Sequence, residues 1–213
     1  MLLGVTKKDR LTLAKHVLNS NGTLILLVHP FFDVTSSPRC NTVVGGIIGR
    51  RKNLAILEQH GSAEELRRDL KLLKRPCIVI PTPGACGIPL LKGGQHDDGH
   101  SNLYKFAKSV GANTVILGGM NLTERGIGPD NAFVEKYERD WLQKRDRKVN
   151  PHAERKPSKM ANDGGCVGCV YNGLIRNALS DKDVPINVRL MPGASYNPPS
   201  YSRERNRLHN YFK

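Results

Sequence analysis

The feature that most constrains this fold is a short apolar run that leads directly into two glycines. Residues 113–119 read Asn-Thr-Val-Ile-Leu-Gly-Gly, and this pattern predicts a buried strand that ends in a sharp turn at Gly118 and Gly119. Asn121 and Arg125 follow with an amide and a planar cation. We therefore expect a site for an oxygen-rich anion such as phosphate just past this strand. Helix capping and contact with solvent are the alternative interpretation.

In the rest of the chain, continuous apolar runs alternate with stretches that have apolar residues at helical spacing. Continuous apolar runs predict strands, and apolar residues three and four apart predict helices. Strands are expected at residues 23–28, 77–80 and 185–191, and helices at 8–18, 53–74 with a break near residue 61, 131–144 and 171–179, while 103–108 fits either element. Ser62 and Glu65 predict a capping box for the second half of 53–74. Residues 41–46 repeat the Asn-Thr-Val pattern before Gly-Gly and predict another strand and turn.

This alternation predicts an α/β fold, a layered sheet with helices on both faces, in a single domain. A chain of 213 residues is long enough to bury a substantial core. We expect an α/β core with the phosphate site at residues 1–143, a basic linker or insertion at 144–165, and a helix, strand and basic tail at 166–213 that complete the core.

The net charge of +14, from 33 basic and 19 acidic residues, predicts an anionic partner. Nucleic acid is the first expectation and an anionic lipid surface the second, because both present dense phosphates. Residues 144–159 are the most basic stretch and the expected contact. A basic surface with no such partner is the alternative.

The amino terminus and the cysteines bear on location. No apolar run approaches the roughly 20 residues of a membrane span, and residues 1–10 do not resemble a signal peptide. Five cysteines, an odd number, suggest reduced thiols. We therefore expect a cytoplasmic or otherwise intracellular protein.

The stretch GGMNLTERG, residues 118–126, resembles the second half of the signature of the phospholipase D superfamily. The resemblance covers about residues 64–130. It implies a phosphodiesterase in which one histidine attacks phosphorus and another protonates the leaving group, without cofactor or metal ion. It also implies a homodimer with the active site at the interface, and the basic charge favours a nucleic-acid substrate.

Carried over by position, this resemblance implies two groups of site residues. His100 and Lys105 would be catalytic. The phosphate would be held by Asn121, Gly118, Gly119 and Arg125.

A second resemblance is to the isochorismatase-like cysteine hydrolases, which are also α/β proteins. His29 and Asp33 follow the first predicted strand, at the place where this family has a pair of aspartates. Lys92 precedes a helical segment, and Cys169 opens a later helix. The resemblance implies Asp33, Lys92 and Cys169 as catalytic residues, and a helix amino terminus would favour the thiolate. His29 itself is either catalytic or a packed residue at the strand end.

Two further interpretations remain open. Cys166 and Cys169 form a Cys-x-x-Cys pair, which can bind zinc or cycle between redox states, but no second ligand pair is suitably spaced. A glycine-rich entry to a helix is the simpler interpretation. The chain can also be a nucleic-acid-binding protein that keeps a phosphodiesterase-like scaffold without catalysis.

Overall fold

The computed structural model describes residues 2–30, 45–72, 74, 77–82, 89, 99–120 and 165–196. The strands are β1 (Thr23–Val28), β2 (Leu54–Gln59), β3 (Ile78–Thr82), β4 (Thr114–Met120) and β5 (Asn187–Tyr196). The helices are α1 (Lys7–Leu18), α2 (His60–Leu72), α3 (Gly99–Ser109) and α4 (Gly165–Ser180), with a short helix at residues 45–50. The strands form one parallel sheet in the order β3-β2-β1-β4-β5.

Helices cover both faces of this sheet, as the sequence predicted. Successive strand residues point to opposite faces, so Leu26 packs in one buried cluster with α1, α3 and α4. Its neighbour Leu27 packs in the other, with α2 and Ile48 of the short helix. The α/β prediction is confirmed, and the core lies in two layers, one on each side of the sheet.

The order of the strands creates a crossing point beside β1. The chain fills one half of the sheet with β1, β2 and β3 and then passes to the other side of β1 for β4 and β5. In parallel sheets, each connecting helix begins at the carboxyl edge of the strands, so α3 and α4 both start at that edge. Ligands of open α/β sheets bind in the crevice at this edge, where the strand order reverses.

Residues 54–59 were predicted as helix and form strand β2 instead. The first five of its residues are all buried, because β2 lies between β1 and β3 and both of its faces are covered. A short run of consecutive apolar residues fits a buried strand as well as a helix. Helix α2 consequently begins at His60, and Ser62 and Glu65 are exposed residues inside it rather than a capping box.

The strand predicted to end before Gly118 continues through both glycines. Gly118 pairs with Leu27 and Gly119 with Val28 of β1. Gly119 has a φ of 117°, and a Cβ there would lie 2.0 Å from the carbonyl oxygen of Val28. A β-bulge against β5 occurs at the same place. Close approach of two backbones, rather than a turn, therefore explains the glycine at 119.

The remaining elements differ from the predictions mainly at their boundaries. Residues 45 and 46 begin the short helix instead of a turn, and 41–44 lie outside the described residues. Residues 103–108 belong to helix α3. Strand β3 includes Pro81, which an edge strand tolerates because a missing N–H need not break the ladder. The expected helix at 131–144 and the basic stretch 144–159 also lie outside the described residues.

Candidate active site

Only some of the site residues predicted from the sequence lie in the described part of the chain. The described candidates are His100, Lys105, Gly118, Gly119 and Cys169. The positions of the others, Asn121, Arg125, Asp33 and Lys92, lie outside the described residues.

Two candidates that came from different resemblances lie side by side. His100 is the second residue of α3, and Cys169 lies in the second turn of α4. The Nε2 atom of His100 is 3.9 Å from the Sγ atom of Cys169, which is within the range of a weak hydrogen bond to sulfur. Since both helices begin at the carboxyl edge of the sheet, this thiol–imidazole pair lies on the side where α/β proteins bind ligands.

A glycine on α4 makes room for the imidazole. Gly173 follows Cys169 by one helical turn, and a Cβ at that position would lie 2.3 Å from Cγ of His100 and 2.7 Å from its Cβ. Any larger residue would therefore collide with the root of the histidine side chain and not only with its tip. Gly173 allows α3 and α4 to approach closely enough for His100 to reach Cys169.

The surroundings of His100 keep its imidazole neutral. Burial lowers the pKa of His100 from its ordinary value, and the nearby positive charge of Arg176 lowers it further. Arg176 lies seven residues after Cys169, on the same side of α4. A neutral imidazole has a free electron pair on one ring nitrogen, so His100 is able to accept a proton from the thiol near neutral pH.

The cysteine does not occupy the helix position that the sequence suggested. Because α4 begins at Gly165 rather than Tyr171, Cys169 lies beyond the first turn, where the helix dipole acts most strongly. Cys166 does lie in the first turn, but it is buried. The described group nearest to the Cys169 thiol that can accept its proton is therefore His100, and the helix terminus contributes little.

Lys105 faces away from His100. Five residues of helix rotate the side chain by about 140°, and Lys105 is exposed on a separate groove that Arg10 and Phe106 also line. The structure therefore does not bring these two predicted catalytic residues together.

A hydrogen-bonded cluster fixes the position of α3 against the segment that follows α4. The hydroxyl of Tyr104 donates to Asp181 Oδ2 at 2.7 Å and accepts from the backbone N–H of Ile186 at 3.1 Å. Lys108 Nζ donates to the same carboxylate oxygen at 2.9 Å. Lys108, together with the Tyr104 hydroxyl, lowers the pKa of Asp181 to about 2. The anchor therefore remains ionised through the physiological range.

Three polar side chains are buried at the carboxyl ends of adjacent strands. His29 at the end of β1 and Thr82 at the end of β3 are both 0% exposed, and Glu58 of β2 is 2% exposed. His29 Nε2 lies 3.0 Å from Thr82 Oγ1. Burial lowers the pKa of His29 to about 4. This contact joins β1 and β3 across the end of β2.

The sequence identified His29 in this cluster but missed Glu58 and Thr82. The available signal was a polar residue directly after each apolar run, at a point where parallel strands share an edge. The assignment of residues 54–59 to a helix hid that signal for Glu58.

Metal-ligand side chains do not gather in the described part of the chain. Among its residues, no group of three or more His, Cys, Asp or Glu side chains is placed to hold a metal ion. Its helices also include none that is both long and apolar enough to cross a membrane.

Comparison with protein-family models, curated proteins and solved structures finds no match to this chain.

Proposed function

We propose that the chain is a hydrolase that uses Cys169 as a nucleophile and His100 as its general base. The observation that carries this proposal is the 3.9 Å contact between Sγ and Nε2. A nucleophile within reach of a base is the arrangement on which covalent catalysis by cysteine depends. Cys169 is half-buried rather than fully enclosed.

The reaction follows from the protonation states of the pair. His100 accepts the thiol proton as Sγ attacks a carbonyl carbon, and the imidazolium then gives that proton to the departing amine or alcohol. This leaves an acyl group on sulfur as a thioester. Water attacks the thioester while His100 accepts a proton from it, and collapse releases the carboxylic acid and returns the thiol. The substrate class is therefore an ester or amide of a carboxylic acid.

The test is formation of the acyl-enzyme from an activated ester such as p-nitrophenyl acetate. We expect wild-type protein to release p-nitrophenol and to gain one acetyl group on Cys169, detected by mass spectrometry of the digested protein. Cys169→Ser and His100→Gln should each reduce the rate by at least about 100-fold, the usual contribution of a general base. Acetylation elsewhere on the chain, with full activity in Cys169→Ser, would contradict the proposal.

Cys77 provides the matched control for this experiment. Burial raises the pKa of Cys77 to about 12, so its thiol stays protonated and unreactive at neutral pH. Cys77→Ser should keep the wild-type rate.

A phosphodiesterase is the second candidate. It is supported by the position of His100 at the start of α3, on the carboxyl edge of the sheet, where β4 ends at Met120 and leads into Asn121. Hydrolysis of bis-p-nitrophenyl phosphate would distinguish the two functions. A phosphodiesterase should lose this activity in His100→Gln and Asn121→Ala and keep it in Cys169→Ser, whereas the cysteine hydrolase should not cleave the diester.

A further inference from the structure

A basic groove lies at the opposite edge of the sheet from the thiol–imidazole pair. It encloses about 440 Å³ over the amino ends of β2 and β3, where Leu54 and Ile78 form part of its floor. One wall is α1 and the other is the segment 48–52. We call this cavity the amino-edge groove.

Positive charge dominates the walls of the amino-edge groove. The cationic side chains that line it are Lys8, Arg50, Arg51, Lys52 and Lys74, with His16 beside them. Of the lining residues that the structure describes, Asp9 alone is acidic, and its carboxylate accepts hydrogen bonds from the backbone N–H and hydroxyl of Thr6 at the start of α1. Asp9 keeps its charge and offsets one of these five cations, so the described lining retains a net positive charge.

The cations of the amino-edge groove take no part in the ion pairs given for the described residues. Among the described residues, the ion pairs of Glu64 with Arg67 and of Lys108 with Asp181 do not involve the groove. Arg50 donates its Nε to the carbonyl of Gly46 at 3.2 Å, which holds the guanidinium in place without reducing its charge. Uncompensated like charges in one concavity repel one another and favour binding of an anion.

We propose that the amino-edge groove binds the phosphate backbone of a nucleic acid. On α1, Lys8, Thr12 and His16 are each four residues apart and form one polar stripe along the helix. Arg51 and Lys52 line the same groove from the segment 48–52. Cations along both walls suit a chain of phosphates rather than a single anion.

The lining also determines how the nucleic acid is recognised. Among the described residues, no Phe, Tyr or Trp lines the groove, so this part of it offers no stacking platform of the kind that single-strand-binding proteins use. Contacts to phosphate carry no sequence information. A concave surface also fits a rounded duplex backbone better than a flat bilayer. The groove therefore binds duplex nucleic acid without sequence preference, independently of chemistry at Cys169.

The test is fluorescence anisotropy with a labelled 20-base-pair DNA duplex of mixed sequence, measured between 50 and 200 mM salt. Arg51→Ala/Lys52→Ala removes two charges from the groove. Arg68→Ala/Lys182→Ala removes two from exposed residues outside it and is the matched control. Circular dichroism and thermal unfolding establish that both variants fold.

We expect the groove variant to bind about tenfold more weakly at low salt. Each phosphate contact contributes about 0.9 to the slope of log affinity against log salt, so this slope should fall by about 2. The control should retain wild-type affinity and slope, and Cys169→Ser should bind like wild type even if the hydrolase proposal fails. Equal loss in both double variants, no duplex binding by wild type, or binding only to phosphatidylserine vesicles would overturn the inference.

Discussion

At the scale of single residues, the decisive relationship is that between His100 and its neighbours on α4. Gly173 provides the space, Arg176 and burial keep the imidazole neutral, and Cys169 provides the thiol. Each contact has a separate physical cause, so each can be changed alone.

Replacing Gly173 with alanine should separate the pair. The new methyl group would occupy the place of the imidazole, so His100 must rotate away or α3 must shift. We expect a loss of about 1–3 kcal/mol in the free energy of unfolding, as for other overpacked sites, together with loss of ester hydrolysis. Urea denaturation and the p-nitrophenyl acetate assay measure the two effects. Ser180→Ala, at an exposed position of the same helix, should change neither.

Removing the charge of Arg176 should raise the pKa of His100. The guanidinium disfavours the imidazolium, so Arg176→Gln removes part of the effect while burial remains. The shift should be small, because Arg176 is exposed and solvent screens its charge. A titration of the histidine ring protons by NMR would show it, and a downward or absent shift would contradict the assignment.

Acid should destabilise the protein through His29. Its pKa is about 4 in the folded protein and about 6.5 in the unfolded chain, so the unfolded state binds the proton first. The contribution of neutral His29 to stability is therefore fully present above pH 6.5. The free energy of unfolding falls as the pH approaches 4, by up to roughly 3 kcal/mol. His29→Asn keeps a residue that tolerates the observed φ of 44°.

This asparagine variant should be less stable than wild type at pH 7. Its urea midpoint should nevertheless change less between pH 7 and pH 4. If both proteins lose the same stability over that range, His29 is not the group responsible.

At the scale of elements, the site depends on how α3 is held beside α4. The cluster of Tyr104, Lys108 and Asp181 anchors α3 to the segment before β5. His100 lies at the other end of the same helix. The cluster therefore controls the orientation of α3 without taking part in the chemistry.

Tyr104→Phe should weaken this anchor. The backbone N–H of Ile186 would lose its acceptor in a buried place, which costs about 1–3 kcal/mol in the free energy of unfolding. Urea denaturation measures this loss. Lys105→Ala, at the exposed position next to it, should cost less than about 0.5 kcal/mol. Equal losses in the two variants would show that the hydroxyl contributes nothing.

At the scale of the whole molecule, strong local patterns predicted the sheet well. Residues 23–28 form β1 at the predicted boundaries, and β3 and β4 also come from apolar runs. The strand β2 could not be distinguished from a helix, because its first five residues become buried only when β1 and β3 pair with it. Local pattern carries no information about such partners.

The candidate site was less predictable than the fold. His100 and Cys169 are 69 residues apart in the chain, and the two were proposed as catalytic residues by different resemblances. Their contact depends on the close approach of α3 and α4 at Gly173. The sequence does not show which side chain packs against a glycine within a helix. The contact between His100 and Cys169 could therefore be identified only from the structure.

The pH dependence of alkylation at Cys169 shows whether His100 takes the proton of this thiol. Iodoacetamide is added between pH 5 and 9, and labelling of each cysteine is followed by mass spectrometry in wild type and His100→Gln. We expect His100 to accelerate labelling of Cys169 at least about tenfold at pH 7, because a neutral imidazole accepts the thiol proton. Equal rates in the two proteins, each rising only toward pH 8.5 like a simple thiol, would contradict it.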